Sequence, residues 1–217
     1  MRTWFVAAAV WAVSCGSPQP APLPAPVKTK PAPPADDRPV IVAFGDSLTA
    51  GPGVEPDQNY PAILQQKLDA AGHRYRVVNL GISGDTTGGG LARLYDALAL
   101  KPRIAIVELG ANDGLRGMPV EATHANLEQI VQGLQQAGVR VILAGMTLPP
   151  NYGAAYVSAF EKVFVDLARQ YKTARIPFFL EGVAAVPTLL LGDGLHPNAA
   201  GYRIVAGNVL QVLEPLL

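Results

Sequence analysis

The chain of 217 residues holds one cysteine, Cys15, and a single thiol excludes any disulfide within the molecule. Histidine is scarce as well: His73, His124 and His196 are the only three. There is no surplus of charge of either sign, with 17 Lys and Arg against 17 Asp and Glu. Without a basic excess nothing points to nucleic acid, and electrostatics names no other partner. A long hydrophobic run is also missing. The apolar stretch over residues 4–13 is shorter than the roughly 20 residues a membrane-spanning helix needs. No internal repeat is visible.

What is present begins at the N-terminus. Arg2, the apolar run and then Ser14-Cys15-Gly16 form the pattern of a secretory signal peptide over residues 1–15. The position of Cys15 resembles a bacterial lipobox, in which the cysteine is lipidated and becomes the mature N-terminus. Ala12 stands where that motif usually has leucine. An ordinary cleaved signal, with Cys15 incidental, is the alternative. Residues 16–39 are dominated by proline, alanine and lysine and are expected to be an extended linker of polyproline type. A Pro-rich ligand for a partner domain is the other reading of that stretch. Together these segments imply export to a bacterial cell envelope, with a membrane tether through Cys15.

One folded domain is expected over residues 40–217. Val40-Ile41-Val42-Ala43-Phe44 runs straight into Gly45-Asp46-Ser47, which describes a buried strand that ends abruptly in polar atoms. Leu48 to Gly53 is expected to be a loop or short turn. Tyr60-Pro61 opens a helix that Gly72 stops. Further strands are expected over 75–79, 104–109, 139–145 and 174–180, the last with Pro177 marking an edge position. Helices are expected around Leu91, Leu94 and Leu98, over 120–136 and 154–171, and through Ile204, Val205, Val209 and Val212. Short apolar strands alternating with helices predict a parallel sheet covered on both faces, a three-layer α/β/α domain. Pattern alone leaves the strand order open.

Four polar, glycine-containing segments follow strands or open the last helix. They are Gly45-Asp46-Ser47-Leu48, Gly81-Ile82-Ser83-Gly84-Asp85, Gly110-Ala111-Asn112-Asp113 and Asp193-Gly194-Leu195-His196-Pro197. In a parallel sheet the loops after strands share one rim, so distant segments can converge there. A serine needs a base to act as a nucleophile. His73 and His124 have the setting of solvated surface residues. His196 lies in a Gly/Pro-bounded loop with Asp193 three residues before it, where a carboxylate can fix the imidazole tautomer. Helix capping or a metal pair are the plainer readings of Asp193 and His196. A metal site requires further ligands, and no other histidine or cysteine lies in a suitable loop. Acyl transfer also needs oxyanion donors. The Ser47 N–H, the Gly84 N–H and the Asn112 side-chain amide are candidates. Singly, Gly84 reads as a turn and Asn112 as a loop cap.

The four segments resemble the defining blocks of the SGNH, or GDSL, hydrolase family, in the family's order, and the likeness covers nearly all of residues 40–217. Further stretches resemble its bacterial thioesterase, lysophospholipase and arylesterase branch. These are Ile82-Ser83-Gly84-Asp85-Thr86, Gly90-Leu91-Ala92-Arg93-Leu94, Val107-Glu108-Leu109-Gly110, Asn112-Asp113-Gly114-Leu115-Arg116-Gly117, Asn151-Tyr152-Gly153 and Pro177-Phe178-Phe179. Ala111 stands where a glycine is common, and Gly192 precedes Asp193 where a second acid occurs in relatives. The resemblance implies a flavodoxin-like fold with five parallel strands. It implies Ser47 as nucleophile, His196 as base, Asp193 as its orienting acid, and Ser47, Gly84 and Asn112 as the oxyanion hole. No metal or organic cofactor is implied. Ser47 does not sit in Gly-x-Ser-x-Gly, so a nucleophile elbow is not indicated.

The expected activity is hydrolysis of acyl esters or thioesters, lysophospholipids included, through an acyl-enzyme. Leu115, Leu148, Pro149 and Tyr152 are expected to line the acyl groove. Two rivals stand beside this reading. One is a carbohydrate or peptidoglycan O-acetylesterase with the same residues. The other is an envelope-tethered binding module without turnover.

Overall fold

Six consecutive residues with no exposed side chain, Val40–Gly45, form strand β1 in the computed structural model. The structure describes Met1 and residues 36–217. The signal sequence, Cys15 and all but the end of the Pro-rich segment lie outside the described residues. The compact unit that carries the elements below spans Asp37–Leu217. Among the described residues no helix is long and apolar enough to cross a membrane.

After β1 come α1 (Ser47–Ala50), α2 (Tyr60–Ala70), β2 (Arg76–Gly81), α3 (Thr87–Ala92), α4 (Leu94–Ala99) and β3 (Ile104–Glu108). Then follow α5 (Ala111–Leu115), α6 (Val120–Gln136), β4 (Arg140–Ala144), α7 (Ala154–Tyr171), β5 (Ala174–Ile176) and α8 (Ala199–Leu213). All strand pairs are parallel, in the order β2-β1-β3-β4-β5. This is the flavodoxin-like arrangement, in which the chain leaves β1 to one side and later returns to its other side. The carboxyl ends of β1 and β3 therefore flank the crevice where such sheets bind ligands.

The helices start and stop for local reasons. Asn59 caps α2 by accepting the Ala62 N–H at 3.0 Å, and Pro61 fills a position that needs no N–H donor. Asn198 caps α8 through the N–H groups of Ala200 and Gly201. The apolar stripe Leu127, Ile130, Val131 and Leu134 faces inward from α6, and Phe160, Val163, Phe164 and Leu167 do so from α7. α2 packs with α8, and α6 with α3 and α7, giving one helical layer on each sheet face. Burying each such aliphatic or aromatic side chain contributes about 1.5–3 kcal/mol. Strands β1 and β3 are buried on both faces, which is why neither alternates polar with apolar residues.

Several boundaries differ from the sequence-based expectation. The stretch after Ser47 is not all loop, because Ser47–Ala50 coils into one helical turn capped by Asp46. The segment after β3 likewise coils as Ala111–Leu115, entered through Gly110 at φ 116°. The helix expected around Leu91 to Leu98 is two helices with a break at Arg93. Arg93 leaves helical geometry to send its guanidinium inward, and that demand breaks the helix. Strand β5 ends at Ile176 rather than Leu180, since Pro177 has no N–H for the ladder. It pairs only with β4, so it does lie at the sheet edge.

Candidate active site

The end of β1 sets the first group. A Cβ on Gly45 would overlap the Thr49 hydroxyl and the Glu108 carboxylate, so only glycine lets strand and helix meet this closely. Asp46 then caps α1, its Oδ1 accepting the Leu48 N–H at 3.0 Å. Ser47 follows, half-buried at the sheet's carboxyl rim.

The segment before α8 meets it there, 149 residues further along the chain. His196 Nε2 lies 2.9 Å from Ser47 Oγ, and His196 Nδ1 lies 2.6 Å from Asp193 Oδ2. With Nδ1 protonated and donating to the carboxylate, Nε2 is left to accept the serine proton. Asp193 Oδ1 accepts the backbone N–H groups of Leu195 at 2.9 Å and His196 at 3.0 Å. The Leu195 N–H bond, then the His196 side chain and N–H, hold the Asp193 carboxyl down at about 2. It is ionised, its side chain 44 % exposed to water, while the imidazole beside it is 24 % exposed. His73 and His124 take no part. Both are half-buried rather than fully solvated, and His124 faces Glu128 one turn on.

The loop after β2 supplies a second wall. Gly84 sits at φ 79°, which favours glycine. Arg116 donates to the Gly84 carbonyl at 2.8 Å and pins this loop to the end of α5. Neither the Ser47 N–H nor the Gly84 N–H bonds to any described residue. Asn112 Nδ2 donates to Asp46 Oδ2 at 3.0 Å and to the Asp85 carbonyl at 2.9 Å. Both amide hydrogens are therefore engaged in the unliganded site.

Four groups in the support of this rim carry no role in the sequence reading. Arg93 donates to Asp85 Oδ2 and the Leu80 carbonyl at 2.7 Å and to the Gly45 carbonyl at 2.8 Å. Its guanidinium carbon lies 4.3 Å from the Phe44 ring centroid, a cation–π stack that shields it. Asp113 accepts the Thr87 N–H at 2.8 Å together with the Thr87 hydroxyl, which ties α5 to α3. Asp46 and Glu108 are both fully buried, one above the other at the ends of β1 and β3. Burial pushes Asp46 up to about 6, against the pull of Leu48 N–H, Asn112 and Glu108. Burial, then the Asp46 charge, pushes Glu108 well above the carboxylate range. For Glu108 the signal was a charge set inside the otherwise apolar run of residues 104–109, since carboxylates are almost never fully buried unless paired.

The four residues expected at the acyl groove divide in two. Leu115 and Tyr152 are half-buried and joined, the Tyr152 hydroxyl donating to the Leu115 carbonyl at 2.9 Å. Pro149 is exposed beside them. Leu148 turns inward, only 5 % exposed, and packs on Gly114. Two surface grooves, one between α6 and α7 and one beside β5, include none of Ser47, Asp193 and His196.

A doubly wound sheet that presents a serine bonded to a histidine at its switch point has the architecture of a serine hydrolase. The GDSL-like lipase/acylhydrolase family model matches residues 43–204, and the chain belongs to that family. Esterase TesA of Pseudomonas aeruginosa is 46 % identical over 178 residues, covering 82 % of this chain and 89 % of that protein. The thioesterase 1/protease 1/lysophospholipase L1 of Escherichia coli K12 is 38 % identical over 178 residues, covering 82 % and 84 %. The crystal structure of TesA superposes with a TM-score of 0.80 at 46 % identity, covering 82 % of this chain and 99 % of that one. The chain is a carboxylic ester hydrolase of the GDSL type.

Proposed function

We propose that Ser47 is the nucleophile of this esterase and that turnover runs through an acyl-enzyme on its Oγ. The observation that carries this is the continuous contact Ser47 Oγ, His196 Nε2, His196 Nδ1, Asp193 Oδ2, at 2.9 Å and 2.6 Å. His196 takes the Ser47 proton as Oγ attacks the ester carbonyl, then gives it to the departing alcohol or thiol. Water, deprotonated by the same nitrogen, hydrolyses the acyl-serine and restores the serine. Asp193 holds the tautomer and stabilises the imidazolium.

The oxyanion is received by the unengaged N–H groups of Ser47 and Gly84 and by Asn112. The Asn112 hydrogen that turns to the oxyanion is the one on the neutral Asp85 carbonyl, because a bond to a carboxylate is the stronger of the two. Leu115, Pro149 and Tyr152 line the acyl side of the site, and Leu148 backs that wall from within. The substrates are acyl esters or thioesters with an apolar acyl group, lysophospholipids included, and no cofactor takes part. Residues 1–15 act as an export signal with Cys15 lipidated, 16–39 as a tether, and 40–217 as the catalytic domain at the cell envelope. A binding module without turnover would leave the serine–histidine contact without a purpose.

The test is a fluorophosphonate probe and a p-nitrophenyl ester series on the full chain. Labelling at Ser47 and loss of both labelling and turnover in Ser47→Ala are expected. Retention of turnover in that variant overturns the reading. Palmitate labelling lost in Cys15→Ser is the outcome expected of the tether, and labelling that persists overturns it.

A further inference from the structure

Beneath the nucleophile lies a carboxyl that the reaction scheme leaves unused. Glu108 ends β3 and is fully buried. Its two oxygens are treated unequally. Oε2 accepts the Thr49 hydroxyl at 2.7 Å and the Asp46 N–H at 3.3 Å. Oε1 is buried and accepts from no described residue. A buried carboxylate oxygen without a donor is costly, and a protonated one is not, because it becomes the donor. An acceptor is at hand, since Asp46 is fully buried against Glu108, its backbone N–H reaching Glu108 Oε2 at 3.3 Å and the Glu108 carbonyl at 3.2 Å. Asp46 is itself supplied with donors, Leu48 N–H on Oδ1 and Asn112 Nδ2 on Oδ2. Of the two acids, Asp46 is therefore the one built to stay ionised and Glu108 the one built to keep its proton.

We propose that Glu108 is a positioning residue, a neutral carboxylic acid that donates to the Asp46 carboxylate and so holds Asp46 as the anchor of the Asn112 amide beside Ser47. This rests on the reading of Asn112 as an oxyanion donor. Glu108 touches no reacting atom and acts through Asp46. The chain of contacts runs Glu108, Asp46, Asn112, and each link is fixed to a different strand end or helix. The groups that face the pair are few. Thr49 of α1 donates to Glu108, and Tyr60 of α2 and Tyr202 of α8 face it with phenols that burial keeps neutral. His196 faces Asp46, and Asp193 faces Tyr202 from the rim. Arg93 reaches the Gly45 carbonyl at 2.8 Å but is paired with Asp85, and His196 is a cation only when protonated, so no unpaired cation among the named groups favours a second negative charge. Burial and the Asp46 charge both act to raise the proton affinity of Glu108.

The neutral-donor role separates two substitutions. Glutamine reproduces a protonated carboxyl: one oxygen accepts from Thr49 and Asp46 N–H, and the amide donates to the Asp46 carboxylate. Leucine removes the donor and keeps the volume. In the full chain, Glu108→Gln is expected to hold kcat within about threefold, and Glu108→Leu to lose about 10–100-fold in kcat with KM within about twofold. In Glu108→Leu the acid limb of the kcat profile moves toward neutral pH, because Asp46 has lost a donor to its ionised form. In Glu108→Gln that limb stays near the wild-type position. A purely structural Glu108 would lower the amount of folded enzyme without moving the limb. Infrared difference spectra at about pH 8 supply a readout that does not need the leucine variant to fold. The wild type shows the carbonyl stretch of a protonated carboxylic acid, and Glu108→Gln lacks it. Equal losses in both variants, wild-type rates in both, or no protonated-acid band would each overturn the proposal. If instead Asn112→Ala leaves kcat unchanged, the oxyanion reading fails while the infrared band still reports on Glu108.

Discussion

Two carboxyls sit near the same serine in opposite states. Asp193 lies on the rim, reached by water, and accepts three N–H groups from its own loop, which hold it at about 2. Glu108 lies on the floor, fully buried, with two donors on one oxygen, none on the other and the Asp46 carboxyl beside it. In the proposed reaction, charge serves where an imidazolium forms and is avoided where only a fixed donor is needed. Neither state follows from residue type. Donor count decides for Asp193, and burial with a like charge decides for Glu108.

The difference carries opposite pH signs. The Asp193 carboxyl is depressed on folding, so its contribution to stability is present above the ordinary carboxylate range and is lost as pH falls toward about 2. The buried pair is raised on folding, so the folded chain keeps protons that the unfolded chain has released, and stability falls as pH rises through that window.

The most severe way to break the rim is to remove the pair proposed to react. Ser47→Ala and His196→Ala are each expected to lower kcat by about 10⁴–10⁶, read on a p-nitrophenyl ester. Asp193→Asn comes next. The new amide can still accept the Leu195 and His196 N–H groups, but it offers Nδ1 a donor and turns the imidazole to the wrong tautomer. A loss of about 10³–10⁴ in kcat is expected. A loss below tenfold would show that the rim charge is dispensable, and the contrast with Glu108 would lose its functional meaning.

How much of this was open to a reader of the sequence follows from where the signals lie. Strand β1, the helix-strand alternation and the four polar segments are local patterns, and the fold keeps them, with the changes of boundary at Ser47–Ala50, Arg93, Ala111–Leu115 and Pro177 described above. That Asp193 and His196 share a loop made them legible as a pair without knowledge of the fold. The strand order was not legible from pattern alone, because Val40–Gly45 and Ile104–Glu108 have the same fully apolar character up to their last residue and would pair with any neighbour, and only the family resemblance implied it. The helix break at Arg93 was hidden too, since its cause is a set of acceptors on Leu80, Gly45 and Asp85 that only folding gathers. Asp46 stood in plain view at the polar end of β1 and Glu108 inside an apolar run, yet their partnership depends on the β1–β3 register, which sets Gly45 beside Glu108.

Smaller effects sharpen the same contrast. Asn112→Ala is expected to lower kcat by about 10²–10³ with little change in KM, as for loss of one oxyanion donor. It also strips Asp46 of a donor, so a rate that becomes more sensitive to acid is part of the expected outcome. Gly84→Ala leaves the backbone N–H in place. The added Cβ meets only Arg116 Nη2, at 3.7 Å, so the cost is the positive φ alone. About 1–2 kcal/mol of stability should be lost, with a smaller fall in kcat than for Asn112→Ala. A loss of kcat as large as that of Asn112→Ala would mean that the loop's register, and not its N–H alone, shapes the rim.

The gentlest probe addresses the floor by stability rather than rate. Between the ordinary carboxylate range and its raised folded value, Glu108 is protonated in the folded chain and ionised in the unfolded one. Each step up in pH across that window therefore favours unfolding. Glutamine has no proton to release in either state and escapes this slope. Asp46 titrates in both proteins, at about 6 in the wild type, and its own contribution largely cancels in the difference. The melting temperature of Glu108→Gln relative to wild type should thus rise from about pH 5 to about pH 8. For a domain of this size each kcal/mol of relative stability appears as about 2–4 °C. A relative melting temperature that is the same at both pH values would mean equal proton counts on residue 108 in the folded and unfolded chains. Glu108 would then be an ordinary ionised acid, and the floor of the site would be no different from its rim.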